Sequence, residues 1–439
     1  ENNGATYGRR SDWQDLYSIA KKYYEALLAD PGNAQFHLTD PRGASDKSGR
    51  TFNNPYQYFF EQMHMDDAIY ADESIYEYPM QQGGGNDGRP YSFGRPSSGG
   101  SKAAYPCKSY GQGRINPAYF YGVFDPNDMR RDVSITMTGS NGKGVEKLIP
   151  FVPNSKAEGG GLTLNKWDEN RQANPWVAAQ RKSGINGPYM RMSEVYLGYA
   201  EVCAALGDVV TGKQYLKTVR ERSFPQGLAN TDAFIASFGN DLVRAIIEER
   251  GFEYAGEGDR RWTLIRSGYL PEDIKRIKDM TKAMMDGLAT KGYYEFENGN
   301  IISAYIWTKL VDAKTIYGHR LTAQCPTDKV NDPVLYPGWR GQKDNWEEMG
   351  LNYGSSTPAT NLAIKGLFEI VSEEEAASLE SQGYAKVNWG IDLVDNRDEY
   401  DKYLFWDYDY VSAPIYLWPF TPNVMAAGGF TNGYGFKQE

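Results

Sequence analysis

Histidine and cysteine are scarce in this chain of 439 residues, which contains three of each. The cysteines lie far apart in the sequence and their number is odd, so a disulfide framework is not expected. No histidine or cysteine has a second one at metal-ligand spacing, so the sequence does not predict a metal centre of these residues. The residues concerned are Cys107, Cys203, Cys325, His37, His64 and His319. Cys203 falls on the apolar side of a predicted helix and is expected to be a small core residue.

The chain also has no excess of positive charge, since it contains 47 basic and 57 acidic residues and its net charge is -10. This balance argues against nucleic acid and against a polybasic membrane-surface patch, whereas it leaves a neutral ligand unaffected. No apolar run reaches the roughly 18 residues of a membrane-spanning helix. The chain starts at Glu1 without a basic-then-apolar leader, so we expect a processed form or a fragment.

Recognisable catalytic motifs are also absent. There is no Gly-x-Ser-x-Gly elbow. Residues 83–88 formally match Gly-x-Gly-x-x-Gly, but no predicted strand precedes them and Arg89-Pro90 follows instead of a helix, so a dinucleotide site is not expected. No cofactor is predicted, apart from calcium as an alternative to a solvated loop at one acidic cluster. That cluster consists of Asp392, Asp395, Asp398, Asp401, Asp407 and Asp409.

Aromatic residues are plentiful, with 33 Tyr, 18 Phe and 10 Trp. Apolar residues that recur every three or four positions predict a mainly α protein built from tetratricopeptide-like helical hairpins, with long irregular loops and a few short strands. The predicted helices cover 12–29, 55–71, 189–206, 210–222, 231–253, 271–288 and, weakly, 372–381. Short strands are predicted at 133–138 and 145–152.

This pattern divides the chain into four segments. Residues 1–75 are predicted to be a tetratricopeptide-like helical segment, and 76–186 a loop-rich ligand-binding region whose aromatic content argues against disorder. Residues 187–290 are predicted to form a helical hairpin scaffold. Residues 291–439 are expected to be an irregular, aromatic-rich C-terminal subdomain.

Three stretches together resemble the SusD/RagB family of outer-membrane nutrient-binding lipoproteins. Residues 187–201 are similar to the family's Arg-x-x-Glu-Val-Tyr-Leu-x-Tyr-Ala-Glu helix, and 246–266 to its Glu-Arg … Glu-Gly-x-Arg-Trp signature. Residues 416–422, followed by 432–434, resemble the family's Pro-rich and Asn-x-Gly-Tyr ending. The match covers about 187–439. Thr263 stands where the family often has Asp, and Phe420-Thr421 replace its usual Ile-Pro step; both are packing positions.

The resemblance implies a SusD-like α/α fold and a protein on the extracellular face of the outer membrane of a Bacteroidetes-type bacterium. Such a protein is not an enzyme: it captures an oligosaccharide and delivers it to a SusC-like TonB-dependent transporter. The family's lipidated N-terminal part is absent from this sequence, so membrane attachment is expected through that missing segment. Peptide capture by a RagB-like importer lid is the first alternative, and a glycoside hydrolase is the second, although none of the 57 acidic residues forms a pair that stands out.

Sugar binding needs exposed aromatic faces for the apolar side of a pyranose and polar side chains for its hydroxyl groups. The loop-rich region supplies both types, although any of its rings could instead pack beneath a loop. The predicted aromatic platforms are Tyr105, Tyr110, Tyr119, Trp167 and Trp176, and the predicted polar partners are Arg114, Asn116, Asn165 and Arg171. Trp339 and Trp346 form a second candidate patch.

The matching motifs themselves are expected to be scaffold. Glu194 and Glu201 lie seven positions apart and therefore on one helix face, with Arg191 and Arg260 as predicted partners. Residues 248–250 and 259–261 are predicted to form structural ion pairs between neighbouring helical segments. Because a buried charge is tolerated only when it is paired, Arg260 is predicted to matter for stability before it matters for binding.

Overall fold

A computed structural model of the protein describes residues 11–31, 38, 54–63, 73–85, 88–97, 109–140, 146–151, 160–168, 181–312, 360–398 and 420–429. Helices predominate in these residues, and the prediction of a mainly α protein with short strands is confirmed. The helices are α1 (Trp13–Ala29), α2 (Pro55–Gln62), α3 (Gly88–Phe93), α4 (Arg130–Ser134), α5 (Met192–Ala205), α6 (Val209–Arg222), α7 (Thr231–Ala236), α8 (Leu242–Glu253), α9 (Asp259–Ser267), α10 (Leu270–Lys291), α11 (Glu373–Ser381), α12 (Gly390–Asp395) and α13 (Pro422–Gly428), with a π-helix at Tyr119–Val123. Across the described ranges, none of the helices is both long and apolar enough to span a bilayer.

The strands are short and pair in small antiparallel groups. They are β1 (Ser74–Tyr78), β2 (Ile135–Thr136), β3 (Thr138–Ser140), β4 (Glu146–Leu148), β5 (Thr163–Leu164), β6 (Gly187–Arg191), β7 (Tyr293–Glu295), β8 (Ile301–Ser303), β9 (Tyr305–Asp312), β10 (Thr360–Lys365) and β11 (Ala385–Asn388). Their pairs are β1–β6, β2–β5, β3–β4 and β7–β8, together with a three-stranded sheet in the order β10-β9-β11. Of the predicted 133–138 strand, residues 133 and 134 belong to α4 instead.

The helical hairpin of α5 and α6 is the centre of the scaffold, and its prediction is confirmed. The turn between them needs Gly207, whose φ of 89° suits glycine, and the Asp208 side chain caps α6 by accepting from Thr211 N at 3.2 Å. The other side of α5 packs against α1, where Cys203 is fully buried, as predicted. Each helix thus buries its apolar stripe against a sequence neighbour or against α8.

The predicted single helix at 231–253 is wrong, because the structure has two helices, α7 and α8. Between them Gly239 and Asn240 both have a positive φ, at 65° and 66°, a conformation that an α-helix cannot continue. Asp241 then starts α8 by accepting a hydrogen bond from Arg244 N at 3.0 Å. The sequence carries this signal as Gly-Asn-Asp in the middle of an otherwise periodic stretch.

Two further expectations are corrected. The described part of 291–439 is not irregular, since it contains β7 to β11 and α11 to α13. Side chains of this part, including Ile306 and Trp389, share one hydrophobic core with Phe120 of the loop-rich region and Phe252 of α8. In addition, a helix does follow the Gly-rich stretch, because α3 starts at Gly88. The strand before it pairs antiparallel with β6, so a dinucleotide-binding βαβ unit is not formed.

The family-signature charges form interhelical ion pairs, as predicted, but not with the predicted partners for Glu194 and Glu201. Glu201 pairs with Arg266, whose Nη1 lies 2.5 Å from Oε1, and Glu194 pairs with Arg250 at 3.5 Å. Arg260 instead donates to the buried Glu248 at 2.7 Å and to Asp273 at 2.9 Å. Spacing along one helix shows which residues share a face, but not which neighbouring helix meets that face.

We predict that Arg260→Ala lowers the free energy of unfolding by about 1–3 kcal/mol, the cost of leaving a buried hydrogen-bonding group without its partner. Glu248 keeps Arg276 at 2.7 Å, so the loss stays below that of a fully unpaired buried carboxylate. Lys275→Ala is the matched control, because its pair with Asp279 is exposed and contributes less than about 0.5 kcal/mol. Denaturant unfolding measures both variants, and equal losses in the two would contradict a structural role for Arg260.

Candidate ligand-binding surface

Three arginines surround the carboxylate of Glu253, which is fully buried on α8. Arg130 Nη1 donates to its Oε2 at 3.0 Å, Arg191 Nη1 donates to its Oε1 at 2.5 Å, and Arg222 also pairs with Oε1. These arginines come from α4, the end of β6 and the end of α6. Burial alone would raise the pKa of Glu253, but the positive charges of Arg222, Arg191 and Arg130 outweigh it and hold that pKa well below its usual range.

The buried ion pairs extend on both sides of Glu253. Glu73, immediately before β1, accepts from Arg191 at 2.9 Å and also pairs with Arg222. Glu249 accepts from Arg130 at 2.7 Å and from Arg220 at 2.8 Å. We call this set the charge network: Glu73, Arg130, Arg191, Arg220, Arg222, Glu249 and Glu253. The charge network connects β1 and β6 to the helical scaffold, because Arg191 is the last residue of β6 and Glu73 immediately precedes β1.

Lys166 and Glu257 continue the network towards the loop-rich region. Glu257 Oε1 accepts from Lys166 Nζ at 2.6 Å and from Arg191 Nη2 at 3.0 Å. Burial lowers the pKa of Lys166 to about 8, in spite of the attraction from Glu257. The segment that carries Lys166 is thereby attached to the same frame as the two strands.

The β1–β6 pair also presents four exposed side chains, those of Tyr76, Tyr78, Tyr189 and Met190. Tyr76 and Tyr78 lie two positions apart on β1, so strand alternation puts both rings on one face. Tyr76 pairs in register with Met190, whereas Glu77 pairs with Pro188, which leaves Tyr189 as an extra residue on β6. Such a β-bulge re-aims a side chain. The ring of Tyr189 consequently stands on the same face as the other two.

We call Tyr76, Tyr78 and Tyr189 the tyrosine cluster. Their exposed fractions are 52%, 43% and 61%, which are high for side chains in mutual contact. The ring centroid of Tyr189 lies 5.6 Å from that of Tyr76 and 5.2 Å from that of Tyr78, at interplanar angles of 87° and 90°. Tyr76 and Tyr78 are 6.1 Å apart at 61°. Edge-to-face contacts of this kind hold the rings in place while parts of their faces remain open.

Polar groups adjoin the tyrosine cluster. The guanidinium carbon of half-buried Arg89 lies 5.2 Å from the ring centroid of Tyr78 and 5.5 Å from that of Trp167. Asn186, just before β6, donates through Nδ2 to Glu77 at 3.0 Å, and its Oδ1 accepts from Met80 N at 2.8 Å. The surface therefore combines three exposed rings with the guanidinium of Arg89, whereas the Asn186 amide holds the buried Glu77 and the backbone of Met80.

The predicted site residues are distributed over several places. Tyr105, Arg171, Trp176, Trp339 and Trp346 lie outside the described residues, and the predictions for them stay predictions. The same is true of the histidines and of Asp401, Asp407 and Asp409. Within the described ranges no three His, Cys, Asp or Glu side chains are grouped in a way that could hold a metal ion, and calcium binding at the acidic cluster stays a prediction.

The expectation of a water-facing ring is wrong for Trp167, which is only 2% exposed and packs with Leu164 and Ile185. Its ring lies beneath Arg89 and acts as a support for that side chain. Asn165 is buried too, and its amide donates to the backbone oxygen of Asp132 at 2.8 Å. The sequence showed that these residue types are suited to sugar binding, but it could not show whether their side chains face solvent or the interior.

Four predicted residues occupy the segment before and within the π-helix. Arg114 is exposed, and its backbone forms an isolated β-bridge with Thr163. Tyr110 is half-buried, and its ring centroid lies 4.9 Å from that of Tyr91 in an edge-to-face arrangement. Asn116 and Tyr119 instead hold helices together: Asn116 Nδ2 lies 3.1 Å from Thr281 Oγ1. The Tyr119 hydroxyl donates to Gly251 O at 2.8 Å. The structure does not bring these four residues together with the tyrosine cluster.

The tyrosine cluster itself was not among the predicted site residues. The alternation of Tyr76 and Tyr78 in a short strand was a usable signal for two of its rings. Tyr189 gave no such signal, because in the sequence it belongs to the start of the predicted 189–206 helix and only the bulge brings it beside β1.

Fold and surface together define a helical scaffold protein with an exposed cluster of aromatic side chains. The sequence pattern of the SusD family matches residues 35–337, more than half of the chain. The chain belongs to the SusD family. The matched region starts before the motifs at 187–266 and ends before the motif at 416–422.

Individual relatives are distant. SusD-like protein P25 of Formosa agariphila is 28% identical over 160 residues, which are 36% of this chain and 26% of that protein. A SusD homologue of Bacteroides thetaiotaomicron aligns with a TM-score of 0.40 at 18% identity, over 62% of this chain and 52% of that one. Surface glycan-binding protein A of the same organism, solved in complex with laminarihexaose, gives 0.39 at 19% identity over 60% and 52%. The chain thus spans about a quarter of the curated relative and about half of the solved chains.

We predict that the protein loses stability as the pH falls from about 4.5 towards about 2. Burial raises the pKa of Glu248, but Arg260 and Arg276 outweigh it and bring that pKa from 4.5 to about 2. A lowered carboxyl pKa stabilises the fold above the unfolded-state value, and the contribution disappears as the carboxylate becomes protonated in the folded state. Glu248 alone accounts for about 3 kcal/mol at neutral pH, and Glu253 shifts in the same direction.

Urea unfolding at several pH values between about 7 and about 3 measures this effect. The midpoint should stay nearly constant down to about pH 5 and then fall steeply. An unfolding free energy that does not change between neutral pH and about pH 3 would show that these carboxylates do not stabilise the fold.

Proposed function

We propose that this protein captures an oligosaccharide and that the tyrosine cluster is a contact surface for it. One observation carries the proposal: three mutually packed tyrosines stay about half exposed beside the guanidinium of Arg89. A sugar offers apolar C–H faces to aromatic rings and hydroxyl groups to planar donors and acceptors. A cluster with only a structural purpose gains nothing from keeping such large apolar faces in water.

The electrostatics favour capture over catalysis. A glycoside hydrolase uses a carboxylic acid whose pKa is raised, so that it can protonate the leaving group. The buried carboxylates Glu248 and Glu253 have pKa values shifted in the opposite direction, because several arginines surround each of them. Their chemistry is that of permanent ion pairs. Membership of the SusD family supports the same role, since that resemblance implies a binding protein.

The proposal includes a partner and a location. We place the protein on the extracellular face of the outer membrane, attached through a lipidated N-terminal segment. There it delivers its ligand to a SusC-like TonB-dependent transporter. These points rest on family membership, and a pull-down of the transporter from an outer-membrane extract with the full-length lipoprotein tests them separately from ligand binding.

We predict that Tyr189→Ala weakens oligosaccharide binding by about tenfold, which corresponds to about 1.4 kcal/mol, a typical effect for the loss of one aromatic contact. Affinity electrophoresis through gels containing starch, laminarin, xyloglucan, galactomannan, pectin or host mucin measures retardation of the wild type and the variant. Tyr23→Ala is the matched control, because Tyr23 is a 75% exposed tyrosine on α1 and is not a member of the tyrosine cluster.

The outcomes separate the alternatives. Retardation that Tyr189→Ala reduces and Tyr23→Ala leaves unchanged supports the proposal. If both variants are retarded as strongly as the wild type, the ligand site lies outside the tyrosine cluster. No retardation in any gel, together with a peptide that co-purifies and appears in the mass spectrum, replaces the oligosaccharide with a peptide ligand. Release of reducing sugar from any of the polysaccharides overturns the assignment as a binding protein.

A further inference from the structure

The small size of the tyrosine cluster limits how much of an oligosaccharide it can contact. The inference drawn from this size rests on the proposed function. All three ring centroids lie within 5.2 to 6.1 Å of one another. A pyranose ring is comparable in width to one phenol ring, so a triangle of this size matches a single sugar residue. We infer that the tyrosine cluster binds one sugar residue at a time rather than a long stretch of polymer.

The orientation of the rings supports the same conclusion. A platform for an extended chain needs rings in a row with their faces roughly coplanar, so that successive sugars stack on successive rings. Here the Tyr189 ring is perpendicular to both of the others, at 87° and 90°. It forms a wall beside Tyr76 and Tyr78 rather than a continuation of their surface. A sugar residue in contact with one face is therefore flanked on a second side.

Arg89 is the polar group best placed to contact the same sugar residue. Its guanidinium lies over the Tyr78 ring, and the buried Trp167 ring supports it at 5.5 Å. A supported planar guanidinium loses little conformational freedom when it donates to two neighbouring hydroxyl groups. Gly187 makes this position available, because a Cβ atom there would overlap Nη1 of Arg89. Gly187 is thus a positioning residue that acts through Arg89.

Charge favours an uncharged sugar residue. The net charge of the chain is -10, which repels polyanionic glycans at long range. On β1 the carboxylate of Glu77, between the two exposed tyrosines in sequence, is buried and accepts from Asn186 Nδ2 at 3.0 Å. Specificity then depends on the shape of the sugar residue and on the directions of its hydroxyl groups.

Isothermal titration calorimetry with oligosaccharides of one to six units tests this inference. The probes are the malto-, cello-, laminari- and manno-oligosaccharide series. For a series that binds, we expect the affinity to be at its plateau already with the monosaccharide, with less than a threefold change up to the hexasaccharide. An affinity that rises tenfold or more between the monosaccharide and the hexasaccharide overturns the single-residue inference and leaves the proposed function standing. If none of the oligosaccharide series binds and none of the polysaccharide gels retards the protein, the proposed function itself is wrong.

Two variants test the contribution of Arg89 on the best disaccharide. Gly187→Ala and Arg89→Gln should both weaken binding by about fivefold or more, while Tyr23→Ala leaves it unchanged. Thermal unfolding followed by circular dichroism shows whether each variant folds, and Arg89→Gln decides the question if Gly187→Ala does not. Wild-type affinity in a folded Arg89→Gln variant overturns the role of Arg89. Selectivity among gluco, manno and galacto disaccharides should relax in Arg89→Gln, which a merely structural role would not produce.

Discussion

Arg130, Arg191 and Arg222 all pair with the carboxylate of Glu253 and join four segments of the scaffold at one buried point. Transfer of a carboxylate from water to the protein interior costs free energy, and it is tolerated only where cations and hydrogen bonds replace the water. Well-packed apolar residues could stabilise a fold equally well, but they would not require one particular alignment of four chain segments. Removing any one arginine leaves a buried charge without full compensation, so the network enforces a specific arrangement of α4, α6, α8 and β6.

That arrangement continues directly into the candidate binding surface. On β6 the buried Arg191 follows the exposed Tyr189 and Met190, so a single short strand carries the charge network at its end and a ring of the tyrosine cluster just before it. On β1, Glu73 anchors the start of the strand and Tyr76 and Tyr78 follow. The exposed rings are therefore fixed by interactions in the interior. A pre-organised surface of this kind loses less conformational entropy on binding than mobile loops do.

Much of the helical scaffold could be predicted from the sequence, because the three-and-four spacing of apolar residues reports directly on which helix face is buried. The motifs around residues 187–266 also identified the family correctly. The candidate surface was harder to predict, for two physical reasons. A residue type that suits a ligand equally suits a core, which is why Trp167 and Asn165 were placed on the wrong side of their loop. Tyr189 joins its neighbours only through a β-bulge, and a bulge changes strand register without a clear mark in the composition.

Hydrogen–deuterium exchange of the protein with and without a saturating oligosaccharide shows whether β1 and β6 form the binding surface. If the tyrosine cluster on its charge-anchored strands is the binding surface, backbone amides of residues 74–80 and 187–191 should exchange more slowly when the oligosaccharide is bound. Amides of α6 and of residues 225–232 should be unaffected. Slower exchange confined to other segments, with no change in β1 and β6, would contradict the account.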